Sequence, residues 1–205
     1  MPRQPRKEAA DAVHHVVFQG SGRGRIVLDQ TDAERLWNSF SVASTSFSWE
    51  CIAACLLGTH FHTFVRTVEP NLGTGMQKVL GGYARWFNLR HGLEGHLFRS
   101  PFWSTRVLTA EHLVVGTSYV ALNPVRAGLC VDPAELRWTT HRELAGLEPQ
   151  RLVKADGLLG MLGNNDIERG RETYVRMIED DLARLRATPD YRHPVLDYLA
   201  EVERR

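Results

Sequence analysis

Cysteine is scarce in this chain. Its 205 residues include three, Cys51, Cys55 and Cys130, an odd number with no CxxC pair among them. That argues against a disulfide framework and a thiolate metal clip, and leaves buried free thiols in a reducing cytosol as the expectation. Long apolar runs are missing as well. No stretch is long enough to span a bilayer, so no membrane partner is expected. The first residues, MPRQPRKEAADAVHH, are basic but contain neither an apolar core nor a small-residue cleavage site, so no secretion signal is read there and a cytoplasmic location is expected. Internal repeats and low-complexity tracts are not detected. Charge of one sign is also lacking, because the formal net charge is only +1, and nothing global announces a nucleic-acid binder.

What is present belongs to an ordinary globular protein: 43% hydrophobic and 24% charged residues are enough for a packed core with a solvated surface. The length fits one domain plus an appendage. Charge is unevenly distributed. Near the N-terminus Arg3, Arg6, Lys7, Arg23 and Arg25 stand against Glu8 and Asp11. Between residues 71 and 106, Lys78, Arg85, Arg90, Arg99 and Arg106 stand against Glu94 alone, whereas residues 164–205 are mildly acidic. Phosphate binding needs local positive charge rather than a high overall pI. A basic face that is merely solvated fits the same pattern.

Periodicity gives the order of elements. The β-branched run at residues 12–19 reads as a strand. Thr31 or Asp32 can cap a helix reaching about Ala43, with Ala33, Leu36, Trp37 and Phe40 at helical spacing. Residues 49–57 form a nearly continuous apolar run suited to a buried strand, and residues 60–68 alternate as a third strand after a Gly58-Thr59 break. A long helix is expected over 72–89 and a strand over 96–108, with Pro101 implying an edge or a bulge. A helix capped by Thr109 should run over 110–122 and stop at Pro124. Residues 143–165 read as loop, 167–187 as a charged amphipathic helix, and 195–202 as a short helix. Strand, helix, strand, strand, helix, strand, helix is the order of an α+β fold in which helices pack on an antiparallel sheet. A boundary near Leu147 divides a unit at 1–147 from a C-terminal helical extension at 148–205.

Two spacings suggest chemistry. His60-Phe61-His62 lies on the third strand, where residues i and i+2 share a face. Two imidazoles about 6–7 Å apart along the strand can reach one metal ion while Phe61 points into the core. Unlinked strand histidines fit the pattern too. Tyr119 and Asn123 are i and i+4 on a helix and share a face, so a hydroxyl and an amide oxygen can enter one cleft. A packed tyrosine and a helix-ending Asn-Pro explain that pair as well. Taken together, the pairs suggest phosphodiester chemistry. A metal acts as Lewis acid on the non-bridging oxygen, a tyrosine oxygen forms a covalent intermediate that conserves the bond, and a mixed nitrogen and oxygen set admits Mg²⁺ or Mn²⁺ and can also take other first-row metals.

The run HFHTFVRTVEPNLGTGMQKVLGGYARWFNLRHGLEGHLF, followed by SYVALNPVRAGL and RWTTHRELAG, resembles the REP-associated tyrosine transposases, a branch of the single-tyrosine transposases with a His-hydrophobic-His motif. The resemblance covers roughly residues 13–146. It implies a ferredoxin-like sheet, similar to that of an RNA-recognition motif, and metal ligands at His60, His62 and Asn123. It implies Tyr119 as nucleophile and single-stranded DNA beside a hairpin, such as a repeated extragenic palindrome, as substrate. Cleavage would pass through a 5′-phosphotyrosine, leaving a 3′-hydroxyl for rejoining. Such a protein would act in the bacterial cytoplasm, at the nucleoid, as a monomer or a homodimer.

The chain departs from the family pattern in three places. Leu57-Gly58-Thr59 stands where the family usually has Met-Pro-Asn, Gln19-Gly20-Ser21 where it has Arg-Gly-Asn, and Arg99-Ser100-Pro101-Phe102-Trp103-Ser104 where a basic, aromatic stretch follows GHLF. These departures keep open a catalytically silent protein that binds hairpin DNA, and the HxH pair alone would allow a metal hydrolase. Candidate phosphate contacts are Arg85, Arg90, Arg99, Arg106 and Arg126, with His91 beside them. A solvated helix face fits the first residues equally, and capping of helix carbonyls fits Arg126. Phe102 and Trp103 can stack bases, whereas Trp86 suits the core. His14, His15, His96, His112, His141 and His193 have no ligand-like partner in sequence.

Overall fold

The computed structural model describes residues 8–100, 102–189 and 193–199. Arg3, Arg6, Lys7, Pro101 and the end of the helix expected over 195–202 lie outside the described residues. Strands β1 (Ala12–Gln19), β2 (Trp49–Leu56), β3 (His60–Thr67) and β4 (Trp103–Arg106) form one sheet in the order β2-β3-β1-β4. The paired strands are antiparallel throughout. With helix α1 (Gln30–Ser46) between β1 and β2, and α2 (Leu72–His91) between β3 and β4, this is the split β-α-β arrangement of a ferredoxin-like fold. The α+β expectation holds.

Each face of the sheet carries its own core. On one face α1 and α2 bury Leu36, Phe40, Met76, Tyr83 and Phe87 against Phe18, Phe61 and Val65. Among the described residues, β4 is followed by the α-helices α3 (Ala110–Arg126), α4 (His141–Leu144), α5 (Asp156–Gly163) and α6 (Ile167–Ala187). On the opposite face Phe64 packs with Tyr119, Val120 and Leu122 of α3, and with Tyr174, Ile178 and Leu185 of α6. This second cluster joins residues on both sides of Leu147. A bulge in β2 between Cys51 and Ala53 turns Ile52 and Ala53 to the α3 face together, as an inserted strand residue does. Cys51 and Cys55 are buried free thiols. Burial pushes the Cys51 thiol up to about 12.

The outer edge of β2 is covered, which protects it from pairing with another chain. Leu56 N–H donates to the Trp138 carbonyl, Thr140 N–H to Ala54 and Lys154 N–H to Cys51, at 2.7–2.9 Å. Buried Glu143 holds the last of these segments. Its carboxylate accepts from the backbone N–H of Arg151, Leu152 and Val153 at 2.7, 3.0 and 3.0 Å.

Four local expectations are corrected. Asp29 caps α1, in place of Thr31 or Asp32, and Asp32 completes the capping box as its third helical residue. The strand expected over 96–108 is continuous only at Trp103–Arg106, with a separate antiparallel bridge of Phe98 to Gly20 beyond a register break. There Ser21 N–H donates to Leu97 and Arg99 N–H to Gln19. Helix α3 runs through Pro124 to Arg126. Proline so near the helix end forfeits one carbonyl partner, and the burial of Leu122, Asn123 and Pro124 offsets that loss. The loop expected over 143–165 contains α5. Its glycines hide the helix from propensity, but Gly163 lets it close on α6, where an added Cβ would meet Gly170 N at 2.5 Å.

Candidate active site

The site forms where β3 meets α3. Even-numbered residues of β3 face α3, while Phe61 and Val65 face the other core, as strand alternation requires. The β1–β3 register sets Val17 opposite His62, Gln19 opposite His60 and His15 opposite Phe64, so His15 shares the face of the histidine pair. Gly116 permits the approach of α3: a Cβ there would lie 2.1 Å from the Phe64 ring. Helix periodicity then turns Tyr119 and Asn123 toward the strand, and both are buried.

His60 and His62 stand with ring centroids 5.0 Å apart and planes at 85°. The Tyr119 ring lies edge-on to His62 at 5.7 Å and is 7% exposed. His60 Nε2 is 3.3 Å from Asn123 Oδ1. The four residues singled out from two separate motifs therefore meet in one place, within one chain.

Both histidines are oriented through Nδ1. The Thr59 hydroxyl lies 2.9 Å from His60 Nδ1 and gives that nitrogen a polar partner. His15 Nε2 lies 3.2 Å from His62 Nδ1. Nε2 of each ring is therefore the nitrogen that could reach a metal ion. Two imidazole nitrogens and one amide oxygen could hold Mg²⁺, Mn²⁺ or another first-row divalent ion. Cis ligands with bonds of ~2.1 Å to an octahedral ion stand ~3 Å apart, close to the His60–Asn123 separation. Among the described residues no cluster of three or more His, Cys, Asp or Glu is grouped for a metal, and the amide oxygen is what would complete this set.

Sequence reasoning left His15 and His112 unassigned, yet the structure brings both to the site. His15 is fully buried, stacked on Phe64 with centroids 4.4 Å apart. Burial, with His112 nearby, pushes its pKa down to about 3. Tyr198 bridges the two, its hydroxyl 2.7 Å from His15 Nδ1 and 2.9 Å from His112 Nε2. Burial raises the Tyr198 pKa, with Tyr119 adding to the rise. No sequence signal marks this cluster, because its members are brought together only by strand register and chain return.

The candidate phosphate contacts divide. The Arg126 guanidinium lies over the Tyr119 ring, 5.5 Å from its centre, at cation–π distance. Both line a cavity of about 270 Å³ between α3, α6 and residues 193–196. Arg99 is exposed where its backbone meets Gln19, the strand partner of His60. Arg106 is exposed at the end of the edge strand β4. Arg85 and Arg90 are on α2, across the sheet from the histidines. Arg90 is engaged there with Asp29 at 2.8 Å and Asp32 at 2.5 Å, and His91 contacts Asp32 at 2.9 Å, tying α2 to the cap of α1. The proposed base-stacking residues are also occupied. Phe102 is buried in the core, and Trp103 stacks on Tyr198 at 5.2 Å.

No protein-family model matches the sequence, and comparison with curated proteins gives no match. Among solved structures, the fold is similar to that of a REP-associated tyrosine transposase bound to a REP hairpin. The TM-score is 0.61 at 18% identity, covering 73% of this chain and 89% of that one. At that identity the likeness establishes the shared fold. A candidate transposase from Deinococcus radiodurans R1 aligns at a TM-score of 0.40 and 13% identity, covering 62% of this chain and 97% of that one, too low to carry an argument. No helix among the described residues is long and apolar enough to cross a membrane.

Proposed function

We propose that this chain is a metal-dependent, single-tyrosine transposase of the REP-associated type, which cuts and rejoins single-stranded DNA beside a hairpin. One observation carries the reading: the Tyr119 ring packs against His62 while His60 Nε2 and Asn123 Oδ1 converge. The motif resemblance and the shared fold support it from two independent sides.

His60, His62 and Asn123 would hold the ion. Bound Mg²⁺ or Mn²⁺ would polarise a non-bridging oxygen of the scissile phosphate. Tyr119 Oη attacks the phosphorus, its proton passing to solvent. The P–O bond to Tyr119 forms as the bond to the 3′-oxygen breaks, and that oxygen takes up a proton to leave as a hydroxyl. The product is a 5′-phosphotyrosine, and the reverse attack by a 3′-hydroxyl rejoins the strand without an external energy source. Arg126, over the Tyr119 ring, would meet the phosphate charge.

The test is incubation with Mn²⁺ and a library of hairpin-bearing single-stranded DNAs, read on a denaturing gel. Wild type should form a covalent protein–DNA adduct and Tyr119→Phe should form none. Hairpin binding without an adduct would identify a silent binding protein instead, and an adduct in Tyr119→Phe would overturn the nucleophile assignment.

A further inference from the structure

We infer that His15 and Tyr198 are positioning residues that, together with His112, form a hydrogen-bonded relay orienting the metal-ligating nitrogen of His62. The inference rests on the metal site proposed above. Three contacts link four side chains. His62 Nδ1 meets His15 Nε2 at 3.2 Å, His15 Nδ1 meets the Tyr198 hydroxyl at 2.7 Å, and that hydroxyl meets His112 Nε2 at 2.9 Å.

The polarity of such a chain is passed on by each imidazole along it. A neutral imidazole donates from one nitrogen and accepts at the other. A His62 that ligates through Nε2 carries its proton on Nδ1 and donates it to His15 Nε2. His15 must then donate from Nδ1 to the Tyr198 oxygen, which leaves the Tyr198 proton to be donated to His112 Nε2, its other hydrogen-bond partner. With the opposite polarity each proton reverses, and His62 carries hydrogen on Nε2, the nitrogen the ion needs. Ligation at His62 and the tautomer of His112 on α3 are thus two ends of one arrangement. Outer partners of a ligating histidine act in this way, fixing ring orientation and tautomer.

Packing holds the relay in register. The His15 ring lies against Phe64 with planes 9° apart, and the Tyr198 ring stacks on Trp103 with planes 15° apart. His15 is supplied by β1, His62 by β3, His112 by α3 and Tyr198 by residues 193–199. The C-terminal extension therefore completes the surroundings of a ligand that lies more than a hundred residues away in sequence.

The test uses the full chain and imidazole ¹⁵N NMR, with Mg²⁺ as a diamagnetic probe and calorimetry for Mn²⁺ affinity. In metal-free protein, His15→Phe should keep the stack on Phe64 yet change the tautomer of His62. Adding Mg²⁺ to wild type should drive His112 Nε2 to the unprotonated, accepting form, and Tyr198→Phe should abolish that response. Mn²⁺ affinity should fall about 10–100-fold in His15→Phe and recover in His15→Gln, which restores an acceptor facing His62. A folded His15→Phe with unchanged His62 tautomer, or a His112 response that persists in Tyr198→Phe, overturns the relay. Wild type that binds neither ion overturns the metal site, while the metal-free His62 tautomer still decides the relay.

Discussion

His60 Nε2 and Asn123 Oδ1 lie 3.3 Å apart although 63 positions separate them in sequence. A strand histidine and a helix amide so placed are suited to two adjacent positions around one ion. Asn123→Ala should weaken Mn²⁺ binding by at least the roughly 10–100-fold that loss of an outer-shell partner costs. Asn123→Asp retains an oxygen ligand, adds a negative charge and should bind at least as tightly as wild type. Isothermal titration calorimetry of the three proteins checks this, and unchanged affinity in Asn123→Ala removes that residue from the ligand set.

Gly116 sets the distance between α3 and the sheet. A Cβ at this position would meet Phe64 Cζ at 2.1 Å, and the buried ring has nowhere to retreat. Gly116→Ala should therefore destabilise the fold by about 1–3 kcal/mol, the usual cost of overpacking. It should also lift Tyr119 from His62 and lower adduct formation. Chemical denaturation and the adduct gel, run on the same preparation, measure the two effects.

Glu143 pins residues 151–153 beside β2 through three backbone N–H donors. Truncating the acceptor strands buried donors, each worth about 1–3 kcal/mol. Glu143→Ala should lose about 3 kcal/mol or more and expose this segment to proteolysis. Glu143→Gln, which keeps one acceptor oxygen, should lose less. Equal protease resistance in Glu143→Ala and wild type would refute the anchoring role.

His141 should make stability depend on pH. Burial is the main cause that lowers its pKa from 6.5 to about 4, and Nδ1 is hydrogen-bonded to the buried Tyr174 hydroxyl at 3.0 Å. A depressed pKa means that the unfolded chain binds the proton more readily. The stabilisation is full above pH 6.5 and is lost as pH falls from there through about 4, amounting to about 3 kcal/mol at roughly 1.4 kcal/mol per unit. His141→Asn keeps a polar partner for Tyr174 and should flatten this part of the stability profile. An unchanged slope in urea titrations between pH 7 and pH 4 would refute the assignment.

Much of the fold was legible because its signals are local. A β-branched run marked β1, alternation marked β3, the apolar run marked β2, and helical spacing marked α1, α2 and α6. The i, i+2 pairing of His60 with His62 and the i, i+4 pairing of Tyr119 with Asn123 follow from one strand and one helix, and the structure preserves both. Where local signals were weak or were overridden, the reading failed. Glycines concealed α5, burial carried α3 through Pro124, and a register break split the strand over 96–108 into a bridge at Phe98 and the short β4.

The sequence by itself determined which residues could share a face, since that depends on backbone geometry within a single element. It also carried the motif order that linked the histidine pair to the tyrosine. Only the tertiary structure decided that His60 meets Asn123, that Arg90 is tied to Asp29 and Asp32 across the sheet from the site, and that His15 joins His62 to Tyr198. Those contacts depend on strand register, on the close approach allowed at Gly116 and on the return of residues 193–199 to the first strand. They are set by packing among residues 47 to 183 positions apart, and no window of neighbouring residues contains that information.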